Sequence, residues 1–178
     1  MGVKIESKER EVAFVKCAGT CDKTKLKYKY SGIKDCHKLA LLTGGGDKAC
    51  LYGCLGYGSC VKECKFDAIH IVDGIALVDK EKCVSCGMYI KSCSNNLIEI
   101  VQYKAKYHVN CFSNDKGKEV KVVCIGCSLC TRVCESKAIT MSNNLVTIDY
   151  NKCTNCGKCA EKCPVKIIRE VQEVYSYN

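Results

Sequence analysis

Two stretches of this chain have the alternating apolar and polar positions of short β-strands on either side of a turn. Residues 68–79 turn at Asp73-Gly74, and residues 138–149 turn at Asn143-Asn144. Both turn pairs tolerate the positive φ angles that a tight hairpin requires. The pattern therefore predicts two β-hairpins.

Three further elements are predicted in the N-terminal quarter of the chain. The apolar run at 12–15 and the strict alternation at 25–30 are typical of strands, and residues 35–42 can form a short helix. Three glycines at 44–46 end that helix. No Gly-Lys-Ser/Thr motif follows them, so we interpret them as a linker turn rather than a phosphate-binding loop.

The two hairpins belong to an internal repeat. A shift of 70 positions superimposes six cysteines of one copy on six of the other: Cys54 on Cys124, Cys60 on Cys130, Cys64 on Cys134, Cys83 on Cys153, Cys86 on Cys156 and Cys93 on Cys163. The repeat predicts an α+β protein with two tandem ferredoxin-like domains of the bacterial two-cluster type, at residues 46–100 and 118–178. Residues 1–45 then form a short N-terminal extension, and residues 101–117 form a bridge.

Cysteine contributes 19 of the 178 residues, a fraction at which cysteine determines the architecture. The odd count and the charged N-terminus without a signal peptide argue against a disulfide scaffold. The sequence has no apolar run long enough to span a membrane. We therefore expect a cytoplasmic chain in a reducing compartment, with most of its thiols bound to metal as thiolates.

The second repeat has the spacing of a protein with two cubane clusters. It reads Cys124-x2-Cys127-x2-Cys130-x3-Cys134, then Cys153-x2-Cys156-x2-Cys159-x3-Cys163-Pro164. Three closely spaced cysteines bind three corners of one cluster, and the fourth binds the neighbouring cluster. The spacing predicts one 4Fe-4S cluster on Cys124, Cys127, Cys130 and Cys163, and another on Cys134, Cys153, Cys156 and Cys159. Zinc is the alternative, although zinc sites seldom need a third cysteine at the same interval.

The first repeat departs from this spacing at two positions. Tyr57 stands where the second repeat has Cys127, and Cys50 offers a replacement thiol. One cluster is then predicted on Cys50, Cys54, Cys60 and Cys93. Tyr89 stands where the second repeat has Cys159, which leaves the three thiols of Cys64, Cys83 and Cys86. That site could hold a 3Fe-4S cluster, a 4Fe-4S cluster with another fourth ligand, or no cluster, so three to four clusters are expected.

Four cysteines lie outside these motifs, namely Cys17, Cys21, Cys36 and Cys111. The pair Cys17-x3-Cys21 could bind a further ion or cluster, and Cys111 could complete the site beside Tyr89. As the alternative, these are free or buried thiols. The histidines at 37, 70 and 108 fit no ligand spacing, and we expect them at the surface or half-buried.

The formal charge of the chain is +9. A cubane with four thiolate ligands carries about −2 when oxidised, so four clusters would leave the loaded protein close to neutral. We interpret the lysines as countercharge and expect no nucleic-acid partner.

The cysteine-rich segment at 15–83 reads VKCAGTCDKTKLKYKYSGIKDCHKLALLTGGGDKAC at 15–50 and CLYGCLGYGSCVKECKFDAIHIVDGIALVDKEKC at 50–83. Its part at 15–64 is more specific than generic ferredoxin motifs. This pattern resembles the B subunit of the Rnf complex, an ion-translocating ferredoxin:NAD⁺ oxidoreductase of anaerobic bacteria. The resemblance extends over nearly the whole chain and implies a polyferredoxin. Such a chain transfers electrons between soluble ferredoxin and the flavin-bearing and membrane subunits of the complex.

The resemblance also implies the ligands Cys50, Cys54, Cys60, Cys64, Cys83, Cys86 and Cys93, together with all eight cysteines in 124–163. Tyr89 departs from the family pattern and removes a ligand. Lys65, Ser94 and Glu135 stand where proline usually follows a cysteine. Family members have a membrane helix and a separate cluster-binding segment ahead of the matched region, and this sequence contains neither. We therefore expect a shortened form or a soluble relative, peripheral at the inner face of the cell membrane.

We predict an electron-transfer subunit of an oxidoreductase complex, with ferredoxin, flavoprotein and membrane-complex subunits as partners. No catalytic motif is present in this chain alone, because the clusters carry the chemistry. The alternatives are a free-standing polyferredoxin carrier, a redox sensor that uses the Tyr89 site, and a zinc-binding structural module.

Overall fold

The computed structural model describes residues 9–114 and 122–170. The outer limits expected for the N-terminal extension, the bridge and the second domain fall in 1–8, 115–121 and 171–178, outside the described residues. Within the described ranges the chain is a small mixed α/β protein. Its elements are β1 (Glu11–Val15), α1 (Cys36–Thr43), α2 (Ser59–Glu63), β2 (Ile69–Val72), β3 (Ile75–Val78), β4 (Ile98–Gln102), β5 (Tyr107–Val109), α3 (Leu129–Arg132), β6 (Ile139–Ser142), β7 (Leu145–Ile148), α4 (Lys158–Lys162) and β8 (Ile168–Glu170).

The strands form antiparallel pairs of two kinds. The pairs β2–β3 and β6–β7 are the hairpins expected from the sequence, and both are confirmed. All four of their turn residues have positive φ, as a tight turn requires. The other two pairs join strands far apart in sequence, β1 with β4 and β5 with β8. In each half of the chain (the first half, 9–102, and the second half, 105–170), two distant strands therefore pair around a central hairpin.

The N-terminal region contributes directly to the first half. Strand β1 confirms the strand expected at 12–15, and its residues from Val12 to Val15 are buried against β4. Helix α1 confirms the helix expected at 35–42. Asp35 caps its start, because Oδ1 accepts a hydrogen bond from the Lys38 N–H at 2.9 Å. Gly44 ends it in the left-handed conformation, with φ of 61°.

The strand expected at 25–30 is wrong. Alternation predicts a strand only when one of its faces can be buried, and here residues 25–29 are exposed on both faces. Leu26 is 59% exposed and Tyr28 is 40% exposed. The segment makes one isolated bridge, between Leu26 and Lys48.

His108 is buried between the two halves, whereas the sequence suggested a position at or near the surface. Its ring stacks on Phe14 of β1 with centroids 4.4 Å apart. Its Nδ1 accepts a hydrogen bond from the Tyr150 hydroxyl at 2.7 Å, and its Nε2 donates to the Ala105 carbonyl at 3.0 Å. Burial lowers the pKa of His108 to about 4, so the ring is neutral at pH 7 and packs as a core side chain.

None of the helices in the described part of the chain has the length and apolarity needed to cross a membrane.

Candidate cluster-binding sites

Four loops of the structure share one backbone pattern. Each has two residues of positive φ that flank the central position of a Cys-x2-Cys-x2-Cys motif or of its altered form. The flanking pairs are Gly56 and Gly58, Ser85 and Gly87, Gly126 and Ser128, and Asn155 and Gly157, with φ between 55° and 78°. Left-handed residues alternating with ordinary ones turn successive N–H groups toward one side, which forms a concavity suited to an anionic group such as an iron–sulfur cluster.

In the second half, the thiols expected to form the first cluster lie together. Cys130, which is buried at the start of α3, has the thiols of Cys124, Cys127 and Cys163 as neighbours, and together these four define the Cys130 site. Burial and the three neighbouring thiols raise the pKa of Cys130. Cys163 reaches this group from the far end of α4, which is the crossed arrangement expected from the spacing.

The other four thiols of the second half line a cavity of about 330 Å³. They define the Cys159 site and are Cys134, Cys153, Cys156 and Cys159. Cys134 comes from the end of the first motif and meets the three thiols of the second. Burial, with Cys153 and Cys156 close by, raises the pKa of Cys159 to about 11.

In the first half, the structure assembles a different set of thiols from the one expected. Cys54, Cys60 and Cys93 line a cavity of about 350 Å³, and the fourth thiol in that cavity is Cys36 of α1 rather than Cys50. These four define the Cys60 site. Burial, Cys93 and Cys36 together raise the pKa of Cys60 to about 12. The Cys36 N–H donates to the Ser59 Oγ at 2.9 Å, which ties the start of α1 to the start of α2.

Tyr57 shows why this first-half site needs a thiol from elsewhere. Its loop has the same backbone as the loop around Cys127, but its hydroxyl donates to the Asp47 Oδ2 at 2.6 Å. The phenol is therefore engaged with a carboxylate. Sequence spacing could not locate the replacement, because Cys36 lies 18 residues ahead of Cys54 on a separate helix.

The remaining first-half site brings Cys83 and Cys86 beside the Tyr89 phenol, and we call it the Cys83 site. The third thiol expected there from the sequence is Cys64. Tyr89 is 1% exposed, and its hydroxyl is 4.0 Å from the Cys83 Sγ. Burial, then the neighbouring Cys83, raises the pKa of Tyr89, so the phenol is neutral. The Ser85 hydroxyl in the same loop is buried without a hydrogen-bond partner among the described residues.

The last four thiols lie elsewhere. Cys17, Cys50 and Cys111 line a separate cavity, and Cys21 is exposed. Cys111 neighbours Cys50 and Cys124, so the structure does not bring it to Tyr89 as a substitute ligand.

The first-half thiols accept hydrogen bonds from backbone N–H groups, as cluster thiolates do. The Ala13 N–H donates to the Cys83 Sγ, the Ala68 N–H to Cys64, the Ala76 N–H to Cys54 and the Leu97 N–H to Cys93, each at 3.3 Å. Such bonds favour a negatively charged sulfur. In the ranges 9–114 and 122–170, no three Cys, His, Asp or Glu side chains are arranged to hold a single metal ion. Thiolates on a cubane bind separate irons, so they do not need to converge on one point. The residues present therefore fit the clusters.

Known proteins are similar to this chain in sequence. Residues 123–167 match the family described as a 4Fe-4S dicluster domain. The B subunit of the Na⁺-translocating ferredoxin:NAD⁺ oxidoreductase complex of Acetobacterium woodii is 42% identical over 179 aligned positions, which cover 94% of this chain and 52% of that subunit. The B subunit of the ion-translocating oxidoreductase complex of Methanosarcina acetivorans is 41% identical, with 94% of this chain and 65% of that subunit covered. Over nearly its whole length the chain is therefore similar to the B subunits of Rnf-type complexes.

A third relative agrees with this assignment. The B subunit of the proton-translocating ferredoxin:NAD⁺ oxidoreductase complex of Clostridium ljungdahlii is 39% identical over 92% of this chain and 60% of that subunit. This Rnf B-type chain thus spans about half to two thirds of the length of the curated relatives it matches. The resemblance stated from the sequence is confirmed, and the protein is an iron–sulfur protein with 4Fe-4S clusters in its dicluster domain.

A test of the Cys83 site follows from the buried phenol. We expect Tyr89→Cys to raise the iron content by about one to four atoms per chain and to slow oxidative bleaching, because a thiolate binds cluster iron and a neutral phenol binds it poorly. Iron and acid-labile sulfide are measured per chain under anaerobic conditions. Tyr89→Phe is the matched control, since it keeps the buried ring and adds no thiol. An unchanged iron content in Tyr89→Cys would contradict the expectation.

Proposed function

We propose that this Rnf B-type chain relays electrons through four cluster sites in two tandem ferredoxin-like domains. The domains correspond to residues 46–100 and 118–178, with strand β1 of the N-terminal extension completing the first and strand β5 of the bridge completing the second. The observation that carries this proposal is the four loops of common backbone, because each is a cradle for one cubane.

We assign the ligands from the thiols grouped at each loop, with Cys64 added because its position in the motif matches that of Cys134. The Cys60 site takes Cys36, Cys54, Cys60 and Cys93, and the Cys83 site takes Cys64, Cys83 and Cys86 beside Tyr89. The Cys130 site takes Cys124, Cys127, Cys130 and Cys163, and the Cys159 site takes Cys134, Cys153, Cys156 and Cys159. When bound, the clusters supply one-electron transfer.

The protein around the thiols controls how easily electrons are held and exchanged. Backbone N–H groups that donate to the sulfur atoms stabilise added negative charge and so raise a reduction potential. Most of the ligand thiols are buried or half-buried, but the central cysteines of three loops, Cys86, Cys127 and Cys156, are exposed. We infer that electrons pass between this chain and its partners at these three surface positions.

The names of the relatives suggest the partners. The relatives from Acetobacterium woodii and Clostridium ljungdahlii are named as subunits of ferredoxin:NAD⁺ oxidoreductase complexes, so we propose reduced ferredoxin as the electron donor. From the resemblance to the Rnf complex we propose a flavin-bearing subunit as the acceptor. The chain would then work at the inner face of the cell membrane, held there by the membrane subunits of such a complex. A free-standing carrier is the competing role.

Electron transfer from ferredoxin tests this function directly. The anaerobically reconstituted chain is mixed with a reduced two-cluster ferredoxin in a stopped-flow instrument, and bleaching of its visible absorbance is followed. We expect transfer of two or more electrons per chain, since several clusters are present. Oxidised ferredoxin is the control for dilution, and dithionite shows how many electrons the chain can accept. A chain that dithionite reduces but ferredoxin does not would refute the proposed donor.

The relay and the carrier differ in how they associate with other proteins. We expect a relay to co-elute in gel filtration with the flavin-bearing subunit from the same complex. A carrier would elute alone under the same conditions.

A further inference from the structure

One cavity of the structure belongs to none of the four sites above. It lies between the two halves and is lined by residues from the N-terminal region, from the start of the first cluster motif and from the bridge. Three of its lining residues are cysteines, namely Cys17, Cys50 and Cys111. All three are buried, with exposures of 8%, 7% and 5%.

The volume of this cavity matches that of the cluster cavities. It measures about 330 Å³, against about 350 Å³ at the Cys60 site and about 330 Å³ at the Cys159 site. Cavities of similar size therefore adjoin these three thiols and two of the complete sets of four.

The thiols of this cavity also have hydrogen-bond partners of the same kind. Cys17 Sγ accepts from the Cys54 N–H at 3.2 Å and from the Gly19 N–H at 3.4 Å. Cys111 Sγ accepts from the Ser113 N–H at 3.5 Å, and the Cys124 N–H also points to it. Converging N–H donors stabilise thiolates, and a buried thiol that only fills space does not need them.

Two buried polar side chains line the cavity, Thr24 and Lys48. Thr24 is 4% exposed, and its Oγ1 has no hydrogen-bond partner among the described residues. A buried unpaired hydroxyl is costly unless a further group satisfies it. Lys48 is also 4% exposed, and its Nζ donates to the carbonyl oxygens of Gly19 and Gly74. A buried ammonium group favours an anion beside it.

We propose that Cys17, Cys50 and Cys111 bind a fifth iron–sulfur cluster at the contact between the two halves. Three thiolates suit a 3Fe-4S cluster, or a 4Fe-4S cluster whose fourth iron has an oxygen ligand. The Thr24 hydroxyl supplies an oxygen at this cavity, and the Lys48 ammonium group offsets the negative charge of the cluster.

The position of this fifth cluster gives it a role beyond binding. Cys17 accepts from the N–H of Cys54, a thiol of the Cys60 site, and Cys111 accepts from the N–H of Cys124, a thiol of the Cys130 site. In each half, a thiol of the fifth cluster is therefore hydrogen-bonded to the backbone of a residue that is a ligand of another cluster. It provides the electronic connection between the two ferredoxin-like halves.

The test measures how much iron each of three variants loses relative to wild type. Cys17→Ser, Cys50→Ser and Cys111→Ser are each reconstituted anaerobically as the full chain, and iron and acid-labile sulfide are determined per chain. We expect each variant to lose about three to four irons, while the EPR signals of the other reduced clusters remain. Cys21→Ser is the matched control, because Cys21 is exposed and lies outside the cavity. It should lose no iron.

Circular dichroism identifies any variant that fails to fold. Because the three thiols lie in separate segments, each of the three variants is an independent test of the same cluster. Folded variants that keep the full iron content would overturn the proposal. An equal loss in Cys21→Ser would overturn the ligand set. Neither result bears on ferredoxin oxidation by the other four sites, so this inference and the proposed function can fail separately.

Discussion

Anaerobic removal of iron from this protein should abolish its cooperative thermal transition. Within residues 9–114 and 122–170 the strands have 3–5 residues and the helices 4–8 residues. Such short helices and two-stranded sheets are marginal in water on their own. Without iron, the buried thiols lose their ligand bonds, which are a large part of the folding free energy in metal-dependent folds. We expect the loss of essentially the whole free energy of unfolding, about 5–15 kcal/mol for an ordinary domain.

Calorimetry and circular dichroism of the loaded and chelated protein measure this loss. Addition of iron and sulfide to the chelated chain is the control, and it should restore the transition. The expectation would be wrong if the chelated chain kept a sharp transition with a midpoint within a few degrees of that of the loaded protein. The apolar core alone would then be sufficient to keep the chain folded.

Cys36→Ser should lose the cluster of the Cys60 site, with about one to four irons removed per chain. The reason is geometric, since Cys36 is the fourth thiol in the cavity that Cys54, Cys60 and Cys93 share. The double variant Cys36→Ser with Tyr57→Cys should recover that iron. Position 57 lies on a loop with the backbone of the Cys127 loop, so the new thiol occupies the corner that Cys127 occupies in the second half.

Tyr57→Phe is the matched control for this experiment. It removes the hydrogen bond to Asp47 and adds no thiol, so its iron content should equal that of wild type. Iron and sulfide are measured on all variants from one reconstitution batch. Full iron in Cys36→Ser would show that another residue completes the Cys60 site.

The hairpins, the helix at 35–42 and the similarity to Rnf B subunits could be predicted from the sequence because each rests on a local pattern. Asp73-Gly74 and Asn143-Asn144 determine their turns through backbone preferences alone. The eight thiols of the second half meet as the regular spacing indicates. Regular spacing of this kind leaves few ways to place ligands on a cubane.

The thiol groups of the first half depend on contacts between residues that are distant in sequence. The spacing of cysteines along the chain does not indicate such contacts. Cys50 is near in sequence to Cys54, yet it packs with Cys111 from the bridge, whereas Cys36 reaches the Cys60 site from α1. The strand expected at 25–30 failed for a related reason, since alternation says nothing about whether another element will bury one face. The buried position of His108 likewise arises from the contact of β5 with β1.

The pairing of β1 with β4 also determines when this protein can fold during its synthesis. Val12 lies opposite Val101, and Val15 lies opposite Ile98. The ribosome adds residues at about 5–20 per second, so β1 waits several seconds before its partner strand is made. During that interval the cysteines from Cys17 to Cys93 are synthesised before β4 is available to pair with β1. The thiols of the first half are therefore accessible to iron–sulfur assembly factors until β4 pairs with β1. The thiols of the second half are accessible in the same way until β8 pairs with β5.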